Sequence, residues 1–281
     1  LDKLALRDIA NDDGEDIPPM KAVFLSDAHL RSNRDKSYHV LLHFLNHLDC
    51  PTGREPSAKT AGADDTRHPR ADNLFLVGDI FDFWFCRNDR VYPDFLPVIE
   101  ALAALKKRGV HITFFEGNHD FFLKSYFSGK LGMDVIEEWG DFRVDDLHFL
   151  VSHGDTVDQS NTGHMMLRNF LRSRFASTLQ QFIPVPVLWE MARTSSTISR
   201  NMSPGQEEAI KEKMLIFAMK KFEEGYDAVI LGHAHKPFLK NDIVMEGRRK
   251  TFAALGDWIS YFSYLCYEDG RFDLKYYRPD V

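Results

Sequence analysis

The 281-residue chain has few cysteines, no long apolar run and no excess of basic residues. Its three cysteines, Cys50, Cys86 and Cys266, form no C-x-x-C pair, which favours a reducing compartment over a disulfide scaffold. No run approaches the roughly 18–20 apolar residues of a membrane span, and no secretory signal peptide is recognisable. The net charge of -7 argues against a general nucleic-acid binder. We therefore expect a globular protein that acts on something other than nucleic acid.

Several familiar catalytic signatures are also missing. The chain contains no G-x-S-x-G, no P-loop and no H-E-x-x-H, and it shows no internal repeat. Hydrophobic residues nevertheless make up 44% of the sequence. A chain of this length buries roughly 75% of its unfolded surface, so a packed core needs no crosslinks. Any chemistry must then come from side chains that an ordinary core brings together.

The most informative stretch is the tetrapeptide from Gly117 to Asp120, which follows an apolar run at 112–115. The run predicts a buried strand, and glycine allows a sharp turn where the strand ends. Asn118 offers an amide oxygen that can bind a metal. His119 can deliver a proton near neutral pH, and we expect Asp120 to orient its imidazole.

Four other apolar segments end in the same way, with Asp or His directly after a strand. We expect these side chains to lie along one edge of a sheet, because ligands of α/β folds bind outside the carboxyl ends of the strands. The seven candidate metal ligands are Asp27, His29, Asp79, Asn118, His153, His233 and His235.

Seven ligands are too many for one zinc ion, which usually takes four. They suit two divalent ions that share Asp79, whose carboxylate has two oxygens and follows a predicted central strand. Mixed oxygen and nitrogen ligands favour Mn, Fe or Zn, and we expect Mn. Two ions about 3.5–4 Å apart acidify a bridging water, which attacks a phosphoryl centre as hydroxide. His119 is then free to protonate the leaving oxygen.

The alternation of strands and helices predicts an α/β (α+β) fold with parallel pairing. We predict a flexible N-terminal segment at 1–20 and one domain at 21–281, with a helical cap inserted at about 160–205. The predicted strands are 21–26, 73–77, 112–115, 134–144, 147–152 and 227–231, followed by hairpins that turn near 246–247 and 268–270. The predicted helices are 36–48, 97–109, 164–183 and 206–224.

Two features allow more than one interpretation. His39, His43 and His47 form a stripe on the first helix that could bind a metal, but no carboxylate accompanies them and we favour a helix face turned to solvent or to a neighbouring loop. The cap carries five arginines between 164 and 200 against a single acid, Glu190. Its helix could contact a membrane surface or could pack as a lid on the core.

The strand-end motifs resemble those of the calcineurin-like metallophosphoesterases, whose pattern is D-x-H, G-D-x-x-D, G-N-H-[DE], x-H-G and G-H-x-H. All five blocks occur here in order, over residues 21–260. The resemblance implies a four-layer β-sandwich flanked by helices and His119 as the catalytic histidine. It also implies a first metal position, held by Asp27, His29, Asp79 and His235. The second metal position would be held by Asp79, Asn118, His153 and His233.

A closer resemblance, carried by 24–30, 78–84, 152–156 and 255–258, is to the UDP-2,3-diacylglucosamine pyrophosphatase family of lipid A synthesis. It implies cleavage of a nucleotide-linked glycolipid to UMP and 2,3-diacylglucosamine 1-phosphate, in the cytoplasm or peripherally on the inner membrane. The cap would supply phosphate-binding side chains, for which we select Asn161, Arg168, Arg172 and Arg193.

His119 departs from that closer family, whose best-known members have Arg at this position. An alternative is therefore a phosphodiesterase or phosphomonoesterase of broader specificity, acting on nucleotides or phosphoproteins. A second alternative, a non-catalytic scaffold, would not need all seven ligands.

Overall fold

Two β-sheets pack face to face in the computed structural model, which describes residues 20–49, 69–87, 89–144, 146–158, 162–173, 182–184, 186–190 and 204–279. The first sheet has six strands in the order β11-β10-β1-β2-β3-β4. Its strands are β1 (Ala22–Leu25), β2 (Asn73–Val77), β3 (His111–Phe115), β4 (Asp134–Ile136), β10 (Ser263–Glu268) and β11 (Arg271–Tyr276). Strands β1 to β4 run parallel, whereas β10 and β11 are antiparallel additions at one side.

The second sheet has five strands in the order β5-β6-β7-β9-β8. They are β5 (Trp139–Val144), β6 (Leu147–Ser152), β7 (Ala228–Leu231), β8 (Phe238–Met245) and β9 (Arg248–Ala254). The three central strands, β6, β7 and β9, run parallel to one another, and the edge strands β5 and β8 pair with them antiparallel. The carboxyl ends of β6 and β7 therefore lie at the same edge of the sheet.

The described helices include α1 (Lys36–His47), α2 (Leu96–Lys107), α3 (Lys124–Phe127), α4 (Thr162–Leu171) and α5 (Pro204–Glu223), with a 3₁₀ turn at Pro93–Phe95 and helical residues at 186–190. None of the described helices is both long enough and apolar enough to cross a membrane. On α1, Nδ1 of His43 lies 2.6 Å from the hydroxyl of Tyr277. Tyr277 follows β11, so this contact is one with a neighbouring loop, as favoured for the histidine stripe.

Side chains along each strand point alternately to the two faces of its sheet, which divides the apolar core into three layers. In β1, Val23 and Leu25 face α1 and α2, whereas Phe24 faces the second sheet. In β7, Ile230 faces the first sheet and Val229 faces α5. Because successive side chains of a strand point to opposite faces, apolar strands buried on both sides require cover on both sides. The result is a helix–sheet–sheet–helix arrangement, which confirms the predicted fold class.

The single strand predicted at 134–144 is wrong. The segment divides at Glu137 and Glu138 into β4, which joins the first sheet, and β5, which joins the second. The chain thus crosses between the sheets here. The helix predicted at 164–183 corresponds to α4, which spans Thr162–Leu171, and residues 174–181 lie outside the described residues. The predicted flexible segment falls, except for Met20, on residues 1–19, which lie outside the described residues.

Candidate metal centre

The predicted ligands come from both sheets, not from one edge of a single sheet. Asp27, Asp79 and Asn118 follow β1, β2 and β3, whereas His153 and His233 follow β6 and β7. The sheets meet at these ends: the backbone N–H of His233 donates to Oδ2 of Asp27 at 2.9 Å. Nδ1 of His153 lies 3.1 Å from the carbonyl oxygen of Val77. The site is therefore a seam between the sheets of the sandwich.

The backbone turns sharply where these strands end. Asp27, His29, Asp79 and His233 all have positive φ, between 43° and 62°, a region that non-glycine residues seldom occupy. Such backbone costs of order 1–3 kcal/mol per residue and clusters at functional sites. Four of the seven candidate ligands therefore have this unusual backbone.

Asp27, His29 and His235 form one group of possible metal ligands. Nε2 of His235 lies 3.5 Å from Oδ1 of Asp27, and Nε2 of His29 lies 3.7 Å from the same oxygen. The two Nε2 atoms are 3.4 Å apart. Oδ1 of Asp27 is buried and has no hydrogen-bond partner. A buried, unpartnered carboxylate oxygen facing two imidazole nitrogens fits a divalent cation, because these are its ordinary ligand types.

A second group contains Asp27, Asp79 and His153. Nε2 of His153 lies 3.3 Å from Oδ2 of Asp79 and 3.0 Å from Oδ1 of Asn118. Oδ2 of Asp79 is also 3.8 Å from Nε2 of His29, so this carboxylate lies between the two groups. The ring of His233 contacts the ring of His153, with centroids 5.2 Å apart. All seven predicted ligands thus have a place around this seam.

His119 lies within ligand distance as well. It forms a third group with His29 and Asp79, and its ring centroid is 4.9 Å from that of His29. Its backbone N–H donates to Oδ1 of Asp79 at 2.8 Å. Distance alone therefore permits either a ligand or a proton donor at this position.

The histidines of the site have strongly displaced pKa values. Burial by itself lowers the pKa of His29, but the adjacent carboxylates of Asp27 and Asp82 outweigh it and raise the pKa to about 10. Burial is likewise overcome at His153, where Asp79 raises the pKa to about 10. Burial, reinforced by the charge of His153, lowers the pKa of His233 to about 4. A site whose carboxylates hold protons on two imidazoles is one that favours positive charge.

Asp120 does not orient the imidazole of His119, which corrects the prediction. Its two carboxylate oxygens accept backbone N–H groups at 2.8–3.1 Å, from Gly117 and from residues 79–81. The atom that faces Nδ1 of His119 is the carbonyl oxygen of Asp82, at 3.1 Å. Asp120 instead ties the tetrapeptide to the loop after β2.

Asp82 is a site residue that the sequence reasoning passed over. Its Oδ1 lies 3.4 Å from Nδ1 of His29, and its backbone carbonyl faces His119. One residue therefore contacts both imidazoles. The signal was present in the sequence, since Asp82 is the last position of the G-D-x-x-D block.

The predicted substrate-binding arginines are engaged with the protein itself. Nε of Arg168 donates to Oδ2 of Asp155 at 2.7 Å, and Arg172 bonds to Glu116 at 3.0 Å. These ion pairs are buried, which argues against the predicted phosphate contacts. Asn161 and Arg193 lie outside the described residues.

Comparison with known proteins finds a matching family model and several similar chains. A family model described as calcineurin-like phosphoesterase matches residues 20–237. The UDP-2,3-diacylglucosamine hydrolase of Aeromonas salmonicida (strain A449) is 28% identical over 262 residues, covering 90% of this chain and 91% of that protein. The UDP-2,3-diacylglucosamine hydrolase of Proteus mirabilis (strain HI4320) is 27% identical over 191 residues, covering 67% and 78%. Vacuolar Protein Sorting 29 of Cryptosporidium parvum aligns over 92% of this chain and 97% of its own at 11% identity, with a TM-score of 0.40.

Proposed function

Because the chain belongs to the calcineurin-like phosphoesterase family, we propose that it is a two-metal pyrophosphatase that cleaves UDP-2,3-diacylglucosamine to UMP and 2,3-diacylglucosamine 1-phosphate. The observation that carries the chemistry is the position of the Asp79 carboxylate between His29, at 3.8 Å, and His153, at 3.3 Å. The substrate is supported by the relatives, since proteins named for that hydrolysis align over 90% of the chain.

The donor set fits two divalent cations. Asp27, His29, Asp79 and His235 would hold one, and Asp79, Asn118, His153 and His233 the other. Such a pair, when bound, polarises phosphoryl oxygens and lowers the pKa of water. Mixed carboxylate, amide and imidazole ligands favour a transition metal, and we propose Mn.

The chain's own contribution to bond cleavage is centred on His119. Nδ1 faces the Asp82 carbonyl, which can only accept, so this nitrogen carries a hydrogen. We assign the transferred proton to the other ring nitrogen, Nε2. Burial lowers the pKa of His119, although Asp79 opposes it. Only the imidazolium form can give an Nε2 proton to a leaving oxygen; the lowered pKa makes that form a stronger acid and reduces its fraction at neutral pH.

An acylated substrate also needs an apolar surface near the phosphates. On α4, Met166 and Phe170 are 73% and 52% exposed and lie one helical turn apart. Arg168, between them in sequence, turns the other way and pairs with buried Asp155. The helix thus presents an apolar face while its charged face binds the core, which supports a lipid-bearing substrate.

The alternative is a phosphodiesterase or phosphomonoesterase of broader specificity. His119 favours this broader specificity, because the best-known members of the pyrophosphatase family that the sequence resembles carry Arg after the Gly-Asn pair. A panel of UDP-2,3-diacylglucosamine, its deacylated counterpart and a simple phosphodiester, assayed with Mn-loaded protein, separates the two. We expect the acylated compound to have the highest kcat/KM, with metal-free protein as the inactive control. Cleavage of the diester with the acylated compound left intact would overturn the proposed substrate.

A further inference from the structure

Helix α4 reaches two of the ligand-bearing loops through arginines four residues apart. Arg168 donates to Asp155, which follows β6, and its Nη2 lies 3.3 Å from Glu138. Arg172 directly follows the helix, and its backbone N–H still donates to the carbonyl of Arg168. Its Nη1 bonds to Glu116 at 3.0 Å and its Nη2 to the carbonyl oxygen of Gly117 at 2.8 Å. Both loops are therefore held by the same helical turn.

The ion pairs with Asp155 and Glu116 are largely shielded from water. The side chains of Arg168 and Asp155 are 7% and 4% exposed, and those of Arg172 and Glu116 are 15% and 4% exposed. Hydrogen bonds between ionised partners are roughly twice as strong as neutral ones, and a planar guanidinium adds geometric specificity. Removing one partner of such a pair leaves the other charge buried and unpaired.

The carboxylate of Glu116 also joins the two ends of the segment that carries Asn118 and His119. Its Oε2 meets Arg172, while its Oε1 accepts the backbone N–H of Leu123 at 2.8 Å. Arg172 holds the peptide carbonyl immediately before Asn118. The position of the Asn118 side chain therefore depends on the docking of α4.

The two loops that α4 holds meet at the second metal position. Oδ1 of Asn118 and Nε2 of His153 are 3.0 Å apart. Arg172 contacts the loop that carries Asn118, and Arg168 contacts the loop that carries His153. The first metal position is supported differently: Oδ2 of Asp27 accepts the backbone N–H of His233, and His29 faces Asp82. Within the part of the chain that the structure describes, the arginine contacts of α4 thus reach only the Asn118–His153 side of the site.

We propose that Arg168 and Arg172 are positioning residues that set the metal affinity of the Asn118–His153 side, so that docking of α4 and completion of the second metal position are one event. This inference rests on the proposed two-metal function. It assigns the arginines to the geometry of the ligands and not to the phosphates of the substrate.

Titration of metal-free protein with Mn²⁺ by calorimetry tests the proposal. Losing a group that supports a metal ligand typically costs about 10–100-fold in metal affinity, and we expect Arg172→Ala to weaken the second equivalent by that factor and the first by less than about twofold. Arg172→Lys cannot bridge Glu116 and the Gly117 carbonyl with a planar fork, so we expect it to weaken the second equivalent as well. Because lysine keeps the positive charge, we expect a smaller loss of metal affinity than in Arg172→Ala. Asn169→Ala, at an exposed position of the same helix, is the matched control and should bind both equivalents normally.

Three results would overturn the inference. The first is normal binding of both equivalents by Arg172→Ala together with a raised KM, which would make Arg172 a substrate ligand after all. The second is equal weakening of both equivalents, which would indicate a general structural loss. The third is an Asn169→Ala variant as defective as Arg172→Ala. If Arg172→Ala does not fold, Glu116→Gln and Arg172→Lys provide the same comparison. Failure of the two-metal function itself is recognised separately, because wild-type protein would then bind fewer than two ions.

Discussion

Gly117 has no room for a side chain, and Gly117→Ala is the sharpest test of the site geometry. A methyl group there would lie 2.5 Å from the backbone nitrogen of Asp79 and closer still to its Oδ1. An ordinary contact begins at 3.4 Å, so the two loops must separate by about 0.9 Å. Gly117 does not have positive φ, so the substitution acts through this clash and not through backbone strain.

The size of the effect follows from what would have to move. Oδ1 of Asp79 accepts the backbone N–H of His119 at 2.8 Å, and the Asp120 carboxylate clamps the two loops together. Overpacking a close contact of this kind costs about 1–3 kcal/mol of unfolding free energy. A displacement of about 1 Å in a catalytic constellation costs about 10²-fold in rate. We expect both losses in Gly117→Ala.

Gly205 supplies the matched control. It lies in the first turn of α5, and a methyl group added there would meet nothing within 4 Å. Gly205→Ala adds the same atom to open space and should stabilise the protein by zero to about 1 kcal/mol, with unchanged turnover. Urea unfolding, followed by tryptophan fluorescence, and turnover of Mn-loaded protein are measured on both variants.

Wild-type turnover in Gly117→Ala would refute this geometry, because the Asp79 and Asn118 loops would then have to tolerate a separation of nearly 1 Å. A comparable rate loss in Gly205→Ala would also count against it, since the effect would no longer depend on the clash. Metal content, measured on the same preparations, distinguishes a displaced ligand from a displaced His119.

Three further outcomes are expected. His119→Ala should keep both metal ions and lose about 10²–10⁴-fold in turnover; metal analysis showing a missing ion would instead make His119 a ligand. Asp79→Ala should bind neither ion tightly, and a variant with normal metal occupancy would contradict the shared carboxylate. Because the pKa values of His29 and His153 are raised to about 10 in the metal-free protein, both are protonated at neutral pH and must release about two protons to bind metal. The apparent metal affinity should therefore rise with pH up to about 10, and calorimetry in buffers of different ionisation enthalpy should detect the protons; a binding heat independent of buffer would exclude the release.

Much of the architecture was predictable from local patterns. The apolar run at 73–77 is the strand Asn73–Val77, and the helix expected at 97–109 is Leu96–Lys107. Apolar periodicity and the turn residues that follow it are properties of neighbouring positions. The identities of the strand-end side chains are likewise local, so the set of available metal ligands could be listed without a structure.

The partners of the charged residues could not be predicted in the same way. The contacts of Arg172 with Glu116 and with the Gly117 carbonyl join positions 56 and 55 residues apart. The carboxylate of Asp120 meets amides 39–41 residues away, after β2. Sequence reasoning paired Asp120 with its neighbour His119, and the arginines with a substrate, because nothing local indicates which distant groups will face them.

The division of the strands between the sheets had the same limitation. The segment 134–144 has one continuous strand pattern, yet it pairs through β4 with β3 and through β5 with β6. Sequence by itself determined which chemical groups the chain can offer and where the strands before those groups end, because side-chain identity and hydrophobic period are properties of neighbouring residues. Only the tertiary structure decided that the two sheets meet at those ends and that Arg168 and Arg172 contact the loops after β6 and β3. Strand pairing and buried charge pairing depend on groups far apart along the chain.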